Sequence, residues 1–233
     1  VEKLVATGNP TYIKQMTQDG QGVEYSSESL QADYFPRKSL WVLTQRAVAW
    51  KSRDRLRIKG DKIEIYNKEG HLEEMKAEGK PATIRKMLPD STLIDYNSES
   101  LKVHYLPAQS LLTLTENAVA WQPSEQLRVK GDQIDIFFQE DSRVKKMTSY
   151  GRPTRIKKLS LVDGQEEFRS KSLQADYFPG QLFLLSKSAV VWKSDGTYVG
   201  EKIEYDLETK IAKAVGEPKS KKRVRVILQP QIK

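Results

Sequence analysis

Residues 111–136 read LLTLTENAVAWQPSEQLRVKGDQIDI, and this stretch decides the fold. Two runs of residues that favour strands flank a polar turn, and a Gly-Asp pair interrupts the second run. The same pattern stands at 40–65, as LWVLTQRAVAWKSRDRLRIKGDKIEI, and at 182–205, as LFLLSKSAVVWKSDGTYVGEKIEY. A pattern that recurs at a fixed period is typical of a repeat protein.

The repeat has a measurable period. Trp50, Trp121 and Trp192 lie 71 residues apart twice. The three glycines of the pattern, Gly60, Gly131 and Gly200, are spaced by 71 and 69. Residues 1–8 align with 72–79, so the chain starts on the last strand of a unit, which either caps the first repeat or continues a longer native chain. The sequence predicts one domain (1–233) with repeats at about 5–76, 77–148 and 149–214 and an edge strand at 215–233.

Each repeat is predicted to contain about five strands. Turn signals recur every 8–12 residues, and no segment keeps a helical period. The apolar positions change parity at Gly60, Gly131 and Gly200, which is typical of a β-bulge or tight bend. We therefore expect an all-β, elongated, antiparallel fold.

The alternation also predicts an interior. Equivalent positions of the repeats carry apolar residues, and a five-strand unit closes a core most readily when neighbouring units stack. For any one of them, ordinary core packing is the simplest interpretation. The predicted interior residues are Ile13, Tyr25, Leu30, Tyr34, Ile63, Ile84, Tyr96, Leu101, Tyr105, Ile134, Ile156, Phe168, Leu173, Tyr177 and Ile203.

Composition argues against catalysis. The chain has no cysteine, so disulfides and thiolate chemistry are excluded, and it has no apolar run long enough to span a membrane. His71 lies in a turn, and His104 aligns with Asp33 and Asp176, which makes that position polar and outward-facing. No phosphate-binding loop or metal-ligand spacing is present. We expect no enzyme activity, no cofactor and no metal.

The C-terminal tail departs from the repeat. It carries a basic cluster and then an alternating apolar run, which predicts an edge strand available to a partner or closing the last repeat. With the leading strand at 1–8, it could pair head to tail with another molecule. The basic cluster is Lys219, Lys221, Lys222, Arg223 and Arg225. The predicted partner-edge residues are Leu4, Val224, Val226 and Leu228.

These elements together resemble the LptA/OstA family. The matching segments are ATGNP (6–10), IKGDKIEI (58–65), EGKPATI (78–84), LTLTENAVAW (112–121), VGEKIEYD (199–206) and KKRVRVILQP (221–230). The resemblance covers nearly the whole chain. One departure is that family members usually carry Gly-Asn where this chain has Gln45-Arg46, Glu116-Asn117 and Lys187-Ser188.

The resemblance implies a function. It implies a V-shaped, twisted β-jelly roll in the periplasm of a Gram-negative cell, non-catalytic, whose groove shields the acyl chains of lipopolysaccharide. The implied partners are LptC-like inner-membrane and LptD-like outer-membrane jelly-roll domains, together with head-to-tail copies of the chain. The fifteen interior positions become the expected lipid-binding groove. Three units suggest an extended bridge homologue or the periplasmic domain of the outer-membrane translocon.

Two other functions stay open on the residues alone. The formal net charge of +8 allows a nucleic-acid-binding β protein, although the tryptophans recur at strand ends and basic residues alternate with acidic ones, so we expect no nucleic acid. A structural or adhesive β-solenoid with a filled interior would carry the same repeats.

Overall fold

The computed structural model describes residues 2–17, 19–87, 94–215 and 224–228. The protein is 78% strand and forms one open antiparallel sheet, with fourteen strands in the described part of the chain. The first thirteen strands are neighbours in chain order, and the fourteenth pairs with the twelfth. The all-β, antiparallel prediction is therefore confirmed.

The strands are long, and short turns join most of them. In the first half of the chain they are β1 (Leu4–Met16), β2 (Val23–Phe35), β3 (Leu40–Lys51), β4 (Leu56–Lys68), β5 (His71–Met87), β6 (Ile94–Leu106) and β7 (Leu111–Gln122). In the second half they are β8 (Leu127–Phe138), β9 (Val144–Leu159), β10 (Glu166–Phe178), β11 (Leu182–Lys193), β12 (Gly196–Asp206), β13 (Ala212–Val215) and β14 (Arg225–Leu228). Three 3-10 turns, at Pro36–Lys38, Pro107–Gln109 and Pro123–Glu125, precede β3, β7 and β8.

The strands bend in mid-course, and the chain uses left-handed residues to do so. In β3, Gln45 and Arg46 have φ angles of 63° and 61°. The register of β3 against β4 shifts at this point, between Thr44 and Ala47. The equivalent pairs Glu116-Asn117 and Lys187-Ser188 are also left-handed. Glycine and asparagine adopt this conformation at least cost, so Gln45 and Arg46 are strained, whereas Asn117 is one of the favoured residues.

The predicted bend glycines lie opposite these pairs. Gly60 pairs with Ala47, and Gly200 pairs with Ala189, directly beside the register shifts. Gly60 has no left-handed φ, and a Cβ there would come within 2.6 Å of the Glu78 carbonyl oxygen. Glycine is needed in β4 because the backbone of β5 approaches closely, while the left-handed turn itself is made in β3.

The chain divides into two compact units. The first contains Val1–Glu116 with Phe138–Arg143, and the second contains Asn117–Phe137 with Val144–Lys233. Each has its own buried apolar face. Within the described residues, no helix has the length and apolar character that a membrane span requires. Of the predicted basic cluster, Lys219, Lys221, Lys222 and Arg223 lie outside the described residues.

Candidate functional site

The inner face of the bent sheet holds most of the predicted lining residues. Ten of the fifteen are buried, namely Tyr25, Ile63, Ile84, Tyr96, Tyr105, Ile134, Ile156, Phe168, Tyr177 and Ile203. Their strands alternate buried and accessible positions on either side of the bend, as in β5, where Ala82 and Ile84 are buried beside the more accessible Thr83 and Arg85. Strand alternation therefore brings these side chains to one face.

The other five predicted positions differ. Ile13 and Tyr34, on the two N-terminal strands, are half-buried. Leu30 and Leu101 are also half-buried, and Leu173 is 45% exposed. In β2, Leu30 lies within the register shift between Glu28 and Gln31. The bulge changes which face the following residues occupy, so alternation counted across it does not assign this position.

A row of serines that sequence reasoning did not single out lies among the lining residues. Ser27, Ser98 and Ser170 are buried, and their hydroxyls have no hydrogen-bond partner among the described residues. Each pairs across the sheet with a predicted lining residue: Ser27 with Ile13, Ser98 with Ile84, and Ser170 with Ile156. The signal was available, since the serines share the 71- to 72-residue spacing. Buried hydroxyls without partners are uncommon and call for an explanation.

A second serine row has a structural role. Ser29, Ser100 and Ser172 donate to the carbonyls of Gln31, Lys102 and Gln174 at 2.8, 2.7 and 2.7 Å. These bonds span the bulge of each strand. The two rows lie two residues apart, so the serine without a partner and the bulge serine can be compared within one strand.

Aromatic rings fill part of each interior. In the first unit, the Tyr25 hydroxyl accepts from the Asn67 amide at 2.9 Å, and Tyr96 stacks on Phe138 with centroids 6.1 Å apart. In the second unit, Phe168 lies 4.4 Å from Tyr205 and 5.2 Å from Phe183. The interior of each unit is therefore closed by side-chain packing.

Buried lysines close one end of the first interior. The Lys86 ammonium donates to the Asp54 carbonyl at 2.6 Å and lies 4.8 Å from the Phe138 ring centroid. The Tyr105 hydroxyl donates to the Asp54 carboxylate. These groups line a cavity of about 350 Å³ together with Lys51, which pairs with Glu24 at 3.1 Å.

The second unit repeats this arrangement. Lys158 donates to the Glu125 carbonyl at 2.8 Å, and the Tyr177 hydroxyl donates to the Gln122 side chain at 3.2 Å. A lysine and a tyrosine thus tie each interior to the turn between two earlier strands.

Burial shifts the ionisation of these groups. It lowers the pKa of Lys86, although Asp54, Asp95 and Asp141 oppose the shift. It raises the pKa of Tyr105, and the adjacent Asp54 carboxylate adds to the effect. The pKa of Tyr96 rises well above its ordinary value for the same reason of burial. Both tyrosines therefore remain protonated at neutral pH, and Tyr105 donates to Asp54.

The histidine that sequence reasoning set aside has a cross-strand partner. His104 contacts Glu74, and the equivalent positions hold Asp33 with Lys3 at 2.9 Å and Asp176 with Lys146 at 2.8 Å. In the central pair the carboxylate lies on β5, whereas in the other two pairs it lies on β2 and β10. The Lys3 ammonium also lowers the pKa of Asp33. In the part of the chain that the structure describes, no group of three or more His, Asp or Glu side chains is arranged to hold a metal.

The strands at the two ends of the sheet carry exposed apolar residues. β1 pairs only with β2, so its other edge is free within the described residues, and Leu4 is exposed. At the other end, β12 pairs with β13 through Lys202–Tyr205 and with β14 through Gly196–Val199. Val224, Val226 and Leu228 are all exposed, and Leu228 is 71% exposed. β14 thus closes part of the β12 edge, as one of the two interpretations of the tail predicted.

An antiparallel sheet bent around apolar faces and ending in exposed edge strands defines a jelly-roll-like class of β proteins. The family model described as "LptA/(LptD N-terminal domain) LPS transport protein" matches residues 51–140 and 125–211. The chain belongs to this family.

The solved structures support the fold. A crystal structure of LptH from Pseudomonas aeruginosa, the LptA-homologous periplasmic component of a lipopolysaccharide transport device, matches with a TM-score of 0.51 and 20% identity. The match covers 58% of this chain and 95% of that chain. No curated protein matches the sequence significantly.

Proposed function

We propose that this protein is a non-catalytic carrier of lipopolysaccharide that shields acyl chains against the inner face of its sheet and bridges inner- and outer-membrane components across the periplasm. The observation that carries the proposal is the recurrent pairing of a lining isoleucine with a buried serine hydroxyl that has no partner. Family membership and the likeness to LptH support the general role.

The energetics explain why such a carrier needs no chemistry. Exposing a CH₂ group to water costs about 0.8 kcal/mol, so an acyl chain of about a dozen carbons costs roughly 10 kcal/mol to move through water. A continuous apolar face lowers this barrier because each step exchanges one apolar environment for another. The lining side chains are packed together, so a lipid enters by separating them.

The serine hydroxyls add polar positions to the otherwise apolar interior. A lipid carries ester, amide and hydroxyl oxygens near its head group, and Ser27, Ser98 and Ser170 offer hydrogen bonds that nothing in the described chain satisfies. A net hydrogen bond contributes about 1 kcal/mol, which corresponds to about a fivefold change in affinity. The serines thus favour lipid positions in which such oxygens lie against them.

The exposed strands at the two ends of the sheet suggest how partners bind. The free edge of β1 and the exposed strand β14 can extend the sheet into a neighbouring molecule through backbone hydrogen bonds. The proposed neighbours are LptC-like and LptD-like jelly-roll domains and further copies of this chain, and the proposed location is the periplasm.

Photo-crosslinking tests the proposal. A photoreactive amino acid at Ile84 or Tyr96 should crosslink to lipopolysaccharide, whereas one at Arg57, outside the buried face, should not. Ser98→Ala should weaken lipid binding about fivefold. Ser100→Ala is the matched control, because it removes a serine whose hydroxyl already bonds to the bulge carbonyl.

A filled structural solenoid is the second candidate, and the tight packing of the interior favours it. Tyr25, Ile63 and Ile84 have no exposed surface. If lipid crosslinks formed equally from Arg57 and Ile84, or from neither, the carrier proposal would be wrong and this candidate would stand.

A further inference from the structure

The outer face of the second unit carries a concentrated positive charge. Six cations from three strands line one surface around Trp192, and we call this set the basic face. Its members are Arg128, Lys130, Arg155, Lys157, Arg169 and Lys171. They border a cavity of about 610 Å³, and Glu166 is the acidic residue lining it.

Cations that face each other across neighbouring strands lower the stability of the sheet. Arg155 pairs directly with Lys171 across β9 and β10, and Lys157 pairs directly with Arg169. Like charges that face each other across strands are destabilising. Glu166 offsets part of this, lying 3.4 Å from Lys157 and 3.5 Å from Arg169. Arg155 and Lys171 form no ion pair with any described residue, so their charges are available to a ligand.

Trp192 adds an aromatic surface to the basic face. The Arg169 guanidinium lies 5.4 Å and the Lys171 ammonium 5.5 Å from its ring. The ring holds two long cationic side chains close to one another without neutralising either.

The hairpin that carries four of these cations ends in an exposed apolar tip. Leu161 is 65% exposed and Val162 is 97% exposed. The tip is ordered by local bonds: Ser160 donates its N–H to the Gln165 carbonyl at 2.8 Å, and Gly164 donates to the Ser160 carbonyl at 3.0 Å. Asp163 is the acid of the turn, and its carboxylate accepts the Gln165 N–H at 3.1 Å.

We propose that the β9–β10 hairpin docks the protein on an anionic phospholipid bilayer, with Leu161 and Val162 inserted at the acyl boundary and the basic face on lipid phosphates. Surface-bound elements combine buried apolar area with attraction to anionic lipids in this way. Lys157 precedes Leu161 by four residues, at most about 13 Å along an extended strand. An inserted tip therefore puts Lys157 and Arg169 at the depth of the head groups.

The tip favours a bilayer over other anionic ligands. A nucleic acid or a free phosphate would use the cations but would leave Leu161 and Val162 in water. The corresponding turn between β1 and β2 has the sequence TQDGQG and carries no large apolar residue. On the β9–β10 hairpin the apolar tip and the basic face occur together, and a lipid surface uses both.

Vesicle cosedimentation tests the docking. The full chain should bind vesicles of phosphatidylglycerol and phosphatidylcholine, bind pure phosphatidylcholine vesicles at least tenfold more weakly, and lose binding in high salt. Leu161→Ser with Val162→Ser should lower binding about tenfold or more. Ile227→Ser with Leu228→Ser, which removes exposed apolar residues from β14, is the matched control and should bind as wild type does.

A second variant separates binding from folding. Arg155→Gln with Lys171→Gln removes a facing like-charge pair, so it should raise the urea midpoint of unfolding while lowering vesicle binding at least tenfold, about fivefold for each cation. Lys14→Gln with Lys38→Gln removes two exposed cations elsewhere and should leave binding within twofold.

Three results would overturn the docking. One is equal binding to both kinds of vesicle or to neither. Another is unchanged vesicle binding by both hairpin variants. The third is displacement of the protein from vesicles by inorganic phosphate at constant ionic strength, or binding of a single-stranded oligonucleotide through Arg155 and Lys171 without vesicle binding. None of these results depends on whether the interior carries lipopolysaccharide, which the crosslinking experiment measures separately.

Discussion

Single residues set the bend of each long strand. Gln45 and Arg46 adopt left-handed φ angles although neither is glycine or asparagine. An L residue with a Cβ pays about 1 kcal/mol or more for this conformation. The bend is therefore maintained by the surrounding sheet against local preference.

Restoring the preferred residues should stabilise the fold. We predict that Gln45→Gly with Arg46→Asn raises the free energy of unfolding by about 1 kcal/mol, because relief of strain exceeds the backbone entropy lost at the new glycine. Urea denaturation measures this. Arg85→Gly, placed where β5 pairs regularly with both neighbouring strands, is the control and should lower it by about 0.5–1 kcal/mol. A loss of stability in the bend variant would contradict the strain argument.

The two serine rows should respond in opposite directions. Ser98→Ala removes a buried hydroxyl without a partner and should leave the free energy of unfolding unchanged or raise it. Ser100→Ala breaks the 2.7 Å bond to the Lys102 carbonyl and should lower it by about 1 kcal/mol. Thermal unfolding of both variants checks the difference. Equal losses would mean that Ser98 has a structural partner.

The buried hydroxyl of Tyr96 should make the free energy of unfolding depend on pH. Burial raises its pKa above that of the unfolded chain, so the folded protein keeps a proton that the unfolded chain releases above about pH 10. The contribution of the protonated Tyr96 to the free energy of unfolding is complete below that pH. It is lost as pH rises, by about 1.4 kcal/mol per pH unit. Tyr96→Phe, which copies the equivalent Phe168, should flatten the alkaline fall while leaving stability at pH 7 unchanged or higher. Unfolding curves from pH 8 to 12 measure both.

At the scale of elements, β4 and β5 meet where a glycine permits close approach. We predict that Gly60→Ala lowers the free energy of unfolding by about 1–3 kcal/mol, since the new Cβ would lie 2.6 Å from the Glu78 carbonyl oxygen. Gly200→Ala is the matched control in β12, where the nearest atom is 3.2 Å away, and should cost less. Urea midpoints compare the two. An equal effect would show that the 2.6 Å contact at Gly60 does not decide the choice of glycine.

At the scale of the whole molecule, the ends of the sheet govern assembly. Deleting residues 219–233 removes β14 and exposes the Gly196–Val199 segment of β12. We predict that this deletion abolishes head-to-tail self-association, measured by sedimentation velocity. Deleting residues 229–233 alone keeps β14 and is the control. Unchanged self-association and partner binding after the longer deletion would sink the edge-pairing proposal.

The strands and most of the interior could be predicted from the sequence. Alternation and the 71-residue spacing predicted ten residues that are buried, because a strand turns successive side chains to opposite faces. It also predicted the register shifts beside Gly60 and Gly200. The same counting also predicted Leu173 as an interior residue, but Leu173 is 45% exposed. A bulge resets the alternation, and the number of residues in the bulge depends on the neighbouring strand.

Which residues face one another could not be predicted without the folded sheet. Ser98 opposite Ile84, and Arg155 opposite Lys171, are pairs set by strand register, which joins residues far apart in the chain. Local propensity carries no information about such pairs, since it is the same whichever neighbour a strand meets. The repeated pattern at 111–136 therefore predicted the strands that form the sheet of this protein. The partnerless serine hydroxyls and the basic face could be recognised only from the pairing of the strands.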